Sequence, residues 1–168
     1  MTAHVLFLCT GNAARSVMAG AMLESKGLGV RVTTTGTHVI EHQPISIRTR
    51  HALASVGLHA SVHRSRQLTD ADVMAADVVV AMSSEHVSYV RRRHPLGAGR
   101  TATLRFLAQH LAEDGSALSD RVAALGLASV DPLEQGDVVD PAGGDDQDYV
   151  DCARELVVLI DELAPRLA

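Results

Sequence analysis

Val5-Leu6-Phe7-Leu8-Cys9-Thr10-Gly11-Asn12-Ala13-Ala14-Arg15-Ser16 is an apolar run that ends on a cysteine, with an arginine and a serine after five small or turn-prone residues. The run reads as a buried strand, and the amphipathic pattern of Met18, Ala19, Ala21, Met22 and Leu23 directly behind it reads as a helix. Between them Gly11-Asn12 suits positive φ. A loop of this length can wrap backbone N–H groups around a tetrahedral oxyanion, with a thiol at its base and a guanidinium on its flank. Cysteine, five residues and arginine is by itself a weak pattern, because it also occurs by accident inside helices and zinc knuckles, and the competing reading of Cys9 is a buried structural cysteine. Its position between a strand and a helix gives it weight.

Strand-like and helix-like segments alternate along the rest of the chain, which predicts one α/β domain over residues 1–168: three layers, with helices on both faces of a roughly four-stranded parallel sheet. The first strand spans about His4 to Leu8, and its helix ends near Gly27. Val30 to Thr35 is a β-branched second strand closed by Gly36, and Ile47 to Val56 has helical spacing up to Gly57. Thr69-Asp70-Ala71-Asp72 is a helix start, followed by a nearly continuous apolar strand from Asp77 to Met82. Ser83 or Ser84 can cap the next helix, and Arg91-Arg92-Arg93 favours its C-terminal dipole. A short strand is expected within Ala102 to Leu107 and a last helix over Gln147 to Leu167. Glu113 to Val138 mixes Gly, Ser and Asp with one apolar run, Val122 to Leu127, and gives no clear pattern.

Composition narrows the function. The chain has 168 residues, 46% hydrophobic and 21% charged, enough for a core without disulfides or metals. No run approaches the ~18 apolar residues of a membrane span, and the N-terminus does not read as a signal peptide, so a cytoplasmic protein without a membrane partner is expected. A formal charge of −5 argues against general nucleic-acid binding. Cys9 and Cys152 form no metal-ligand spacing, and His42, His51, His59, His63, His86, His94 and His110 are too scattered for a metal set. Most of these histidines are expected on the surface, with His63 a candidate for ordering a loop near Cys9.

Cys9, Gly11, Asn12, Arg15 and Ser16 match the loop of the low-molecular-weight protein tyrosine phosphatases, which the chain resembles over nearly its whole length. Thr35-Gly36-Thr37, His63-Arg64-Ser65-Arg66-Gln67 and Ala81-Met82 also have family-like counterparts. The resemblance implies a flavodoxin-like sheet and a phosphatase that forms a cysteinyl phosphate on Cys9. Arg15 and the loop Thr10, Gly11, Asn12, Ala13, Ala14 and Ser16 would hold the phosphoryl oxygens. Ser16 would hydrogen-bond the thiolate, and Asn12 would brace the loop in a left-handed conformation. Read without the family, Ser16 is a helix cap and Asn12 a turn former.

Such a reaction also needs an acid, because an alkoxide or phenoxide leaves poorly. Asp140-Pro141, followed by Gly143-Gly144 and Asp148-Tyr149, resembles the family's aspartate-proline loop and is preferred over Asp131-Pro132, although both could be ordinary turns. Asp140 would protonate the leaving oxygen and then activate water, with no metal or cofactor implied.

Several positions depart from the family. Val17 replaces a common proline, and Ala14 replaces a second cysteine that protects the nucleophile, so peroxide is expected to carry Cys9 further along the oxidation ladder. Cys152 reads as a packed apolar residue. Ala142 and Gly143 on one side of the mouth, and His38 and Val39 on the other, stand where aromatic walls are usual, which would weaken an aryl sandwich. A threonine in mid-loop accompanies arginine-phosphate specificity, and Ala13 counts against it. The expected substrate is therefore phosphotyrosine in proteins or an aryl phosphate. A small or non-tyrosine phosphomonoester, an arsenate reductase-like activity and a non-catalytic phosphate-binding module remain as alternatives, and the oligomeric state stays open.

Overall fold

A computed structural model describes residues 2–60 and 62–168. The elements follow in the order β1 (His4–Cys9), α1 (Arg15–Ser25), β2 (Arg31–Gly36), α2 (Ile47–Ser55), α3 (Asp70–Ala75), β3 (Val78–Ala81), α4 (Ser84–Arg93), β4 (Thr101–Thr103), α5 (Leu104–His110), α6 (Leu118–Ala124) and α7 (Asp146–Leu167). Short 3-10 turns lie at Pro95–Arg100, Leu127–Ser129 and Pro132–Glu134. The four strands form one parallel sheet in the order β2-β1-β3-β4, the flavodoxin-like arrangement.

Every residue of β1 is buried, and the pleat divides its side chains between two apolar clusters. Val5, Phe7 and Cys9 join Val78, Val80 and Met82 in a core shared with Met18, Leu107, Leu156 and Ile160 of α1, α5 and α7. Leu6 and Leu8 face the other way, onto Val79, Val73 and Val90 of β3, α3 and α4. Burial on both faces explains why β1 is uniformly apolar instead of alternating.

The chain leaves β1 toward β2 on one side and later returns to β3 on the other. Such a reversal opens a crevice at the carboxyl ends of the central strands, where ligands settle in open α/β sheets. Cys9, the last residue of β1, lies in that crevice opposite Gly36, the last residue of β2. The two ends approach so closely that a Cβ on Gly36 would fall 2.5 Å from the Thr10 carbonyl oxygen and 2.9 Å from the Asn12 nitrogen.

One expectation is corrected, and one histidine is an exception to the surface placement expected for most of them. The strand sought within Ala102 to Leu107 covers only Thr101–Thr103, because the Thr103 hydroxyl accepts the Phe106 N–H and turns the chain into α5. His86 is not a surface residue. It is 1% exposed and forms the capping box of α4, where its Nδ1 accepts the Ser83 N–H. Burial, and then the charges of Arg15 and His38, push its pKa down to about 3. The segment without a clear pattern, 113–138, contains α6 and two of the 3-10 turns.

Two outcomes follow from these contacts. Gly36→Ala should lower the thermal midpoint, at an overpacking cost of about 1–3 kcal/mol, as calorimetry would read. His86 is neutral in the fold over a range where the unfolded chain binds its proton, so stability should be full above about pH 6.5 and be lost progressively as pH falls toward about 3. Denaturant midpoints against pH should fall less steeply over that window for His86→Asn than for the parent.

Candidate active site

In the loop from Cys9 to Arg15 the carbonyls of Cys9, Thr10, Asn12 and Ala13 are tied to the scaffold. The Cys9 and Thr10 carbonyls accept the N–H groups of Thr37 and His38, each at 3.0 Å. His63 Nε2–H donates to the Asn12 carbonyl at 2.8 Å, and the Thr49 hydroxyl donates to the Ala13 carbonyl at 3.1 Å. Burial lowers the His63 pKa despite that bond, with a smaller push in the same direction from Arg64. Among the described residues, none of the backbone N–H groups from Thr10 to Ser16 donates to another backbone carbonyl. They belong to a loop and to the first turn of α1, whose preceding residue, Ala14, supplies no side-chain cap. The set is a nest of donors at a helix N-terminus, suited to an oxyanion.

Asn12 is fully buried at φ 51°, the left-handed region. Its amide donates to Ser16 Oγ at 3.1 Å and Thr34 Oγ1 at 2.9 Å, while its Oδ1 accepts the Arg66 N–H at 3.0 Å. Those three bonds hold a conformation that a non-glycine residue otherwise avoids. Because Ser16 Oγ accepts from Asn12, its own proton is left for Cys9 Sγ, 3.0 Å away. Ser16 thus faces the sulfur and does not cap α1.

Arg15 is 3% exposed and reaches across to a distant part of the chain. Its two terminal nitrogens donate to the Val138 carbonyl and to Asp140 Oδ2, both at 3.0 Å. The segment carrying Asp140 is fixed by the Val138 N–H to the Met82 carbonyl at the end of β3, and by Asp137 Oδ1, which accepts the Ser84 N–H at the start of α4. Asp140 Oδ1 accepts the Ala142 N–H, and the side chain keeps 45% of its surface in solvent. A carboxyl that is reachable from outside and also held at the loop's guanidinium can exchange protons with a bound group. Asp131, the alternative, spends its carboxylate on the Leu133 N–H in a 3-10 turn.

Cys9, the residues from Thr10 to Ser16, and Asp140 therefore meet at one end of the sheet. Cys152 is buried, and burial pushes its thiol pKa up to about 12, so it stays protonated and apolar in character. Among the described residues no group of three or more His, Cys, Asp or Glu could hold a metal ion, and no helix is long and apolar enough to cross a membrane. Three supports escaped the sequence reading: Thr49, Arg66 and the pair His86–Thr10, in which His86 Nε2 lies 2.9 Å from Thr10 Oγ1. A serine three residues before a histidine at a helix start was the available signal for His86.

Residues 4–120 match the family model for low molecular weight phosphotyrosine protein phosphatase. A protein-arginine-phosphatase of Geobacillus stearothermophilus is 34% identical over 168 residues, which is 99% of this chain and 97% of the relative. A low molecular weight protein-tyrosine-phosphatase, Etp, of Escherichia coli K12 is 31% identical over 97 residues, 58% of this chain and 66% of its own length. Among solved structures, the YwlE arginine phosphatase from Geobacillus stearothermophilus superimposes with a TM-score of 0.78 at 33% identity, over 96% of this chain and 90% of the other. A YwlE variant with a phosphorylated active site serine gives 0.77 at 27% identity, over 96% and 93%. The loop geometry and these matches agree: the chain belongs to the low-molecular-weight protein tyrosine phosphatase family and is a cysteine-dependent phosphoric monoester hydrolase.

Proposed function

We propose that Cys9, Arg15 and Asp140 carry out dephosphorylation of a protein side chain by way of a phosphocysteine. The observation that carries this reading is the single guanidinium of Arg15 held between the anion nest and the Asp140 carboxylate, beside a cysteine that a serine hydroxyl addresses. In the first step Cys9 Sγ attacks phosphorus as a thiolate, and the P–O bond to the leaving group breaks in line with it. The amides from Thr10 to Ser16 and Arg15 take the three equatorial oxygens as charge spreads over them. Asp140, protonated, gives its proton to the departing oxygen. In the second step Asp140 takes a proton from water, whose oxygen attacks the phosphocysteine and releases inorganic phosphate and the Cys9 thiolate. The Ser16 hydroxyl stabilises that thiolate as it leaves.

The ion pair between Arg15 and Asp140 is part of the cycle. A phosphate dianion arriving at Arg15 offers it a better bidentate partner than a half-exposed carboxylate, so binding frees Asp140 to take up a proton and turn toward the leaving atom. The same displacement makes the product a competitor for the site.

Phosphotyrosine is the substrate the family match and Ala13 favour. A second reading, phosphoarginine, rests on two relatives named protein-arginine-phosphatase that run along nearly the whole chain, 99% of it for the Geobacillus protein and 97% for that of Bacillus subtilis. Ala142 and Gly143, in place of bulky rings beside Asp140, leave the leaving group without an aromatic wall on that side and are compatible with either.

The wild type should turn over an aryl phosphate near pH 6 without added metal. Cys9→Ser should be inactive, and Asp140→Asn should lose about 10²–10⁴-fold in kcat, as steady-state kinetics would read. An inactive wild type that still binds phosphate would overturn the catalytic reading. One peptide carrying phosphotyrosine and a second carrying phosphoarginine in the same context should give a kcat/KM ratio above one. A ratio below one assigns the chain to arginine phosphate despite Ala13.

A further inference from the structure

His86 is a buried polar group whose side chain meets a side chain of the loop, that of Thr10, and it has no part in the chemistry above. Its Nδ1 lies 3.1 Å from the Ser83 backbone nitrogen and 3.0 Å from Ser83 Oγ. A backbone N–H can only donate, so Nδ1 is an acceptor and carries no proton. Burial keeps the ring neutral, so its one proton sits on Nε2. Thr10 Oγ1 is 2.9 Å from Nε2 and is the acceptor, whereas Glu85 Oε1 lies farther off at 3.5 Å and forms no ion pair with a neutral ring. The Thr10 hydroxyl therefore receives a hydrogen bond, and its own proton is still to be placed. Among the described residues it has no second partner. It borders a cleft of about 120 Å³ lined also by Thr37, His38 and Tyr89, and it belongs to the residue directly after Cys9.

We propose that His86 is a positioning residue that fixes the Thr10 hydroxyl as a side-chain donor to the phosphoryl group held in the loop. The proposal rests on the reading of that loop as a phosphate cradle. A hydroxyl accepting from a fixed N–H has its remaining proton confined to a narrow range of directions, which lowers the entropy lost when a phosphoryl oxygen takes it. The same ring closes the first turn of α4, so the position of the donor is set by β3 and α4 as well as by the loop itself.

The test is steady-state kinetics with an aryl phosphate and inhibition by inorganic phosphate, alongside thermal melting, for Thr10→Val, His86→Asn, their combination and His86→Gln. Asn can offer Oδ1 to Ser83 in place of Nδ1 but stops short of Thr10, whereas Gln can carry an N–H out to Thr10. Thr10→Val should lower kcat/KM roughly tenfold to a hundredfold, the range for a lost hydrogen bond to a charged group, with little change in melting. His86→Asn should lower it similarly, the combination should be no worse than either alone, and His86→Gln should recover most of the loss. Wild-type kcat/KM and phosphate inhibition in Thr10→Val would overturn the proposal even if His86→Asn failed to fold. Equal losses from His86→Asn with and without Thr10→Val would also overturn it, leaving a helix cap alone. A wild type with no turnover at all would instead remove the phosphatase reading beneath it.

Discussion

Backbone carbonyls compete with the anion for the direction of a peptide plane, and the site depends on settling that competition. Each peptide of the loop presents its N–H to one side and its carbonyl to the other. Only if the carbonyls at Cys9, Thr10, Asn12 and Ala13 find partners behind the loop can the amides face a common centre. Those four partners come from three separate places: the adjacent Thr37 and His38 directly after β2, His63 farther along, and Thr49 on α2. Buried carbonyls without partners would each cost on the order of 1–3 kcal/mol, so the scaffold holds the loop shape with no anion bound. An anion then meets a set of donors already oriented, which is how such sites stabilise charge without reorganising during the reaction.

Asn12 is the node where this framework meets the chemistry. Its side chain joins β2 through Thr34, the segment around Arg66, and the hydroxyl of Ser16 that addresses the nucleophile. A left-handed residue would relax if it lost those bonds, and the relaxation would rotate the peptides on either side of it. Gly36 supports the same node from the neighbouring strand by having no side chain where Thr10 and Asn12 pass.

The sheet and the loop were legible because local signals there agree with the tertiary outcome. The apolar run before Cys9 is buried on both faces, and the positive φ foreseen for Asn12 is present. The Asp140 position was legible only through the family's aspartate-proline loop, since nothing local separates it from Asp131. Residues 102–107 misled because Ala102-Thr103-Leu104-Arg105-Phe106-Leu107 is too short for its period to separate strand from helix, and a single cap at Thr103 decides where the strand ends. His86 departs from the general expectation of surface histidines because its partner Thr10 lies far away in sequence. The 113–138 segment owes its order to distant partners. Arg121 donates to the carbonyls of Ala112, Arg166 and Ala168, and Gln135 bonds both the amide and the hydroxyl of Thr103.

Arg15 and its two partners at Val138 and Asp140 are separated by 123 and 125 residues. Contacts of such separation form late, because the loop they close costs entropy before they return any. During synthesis the Cys9 loop leaves the ribosome with most of the sheet and the Asp140 segment still to be made. A chain that has collapsed around β1 and α1 without that last closure holds the Cys9 thiol but lacks the contacts of Arg15 to Val138 and Asp140. The full constellation of Cys9, Arg15 and Asp140 is therefore an end-of-folding property of this fold, assembled only once the last third of the chain has docked.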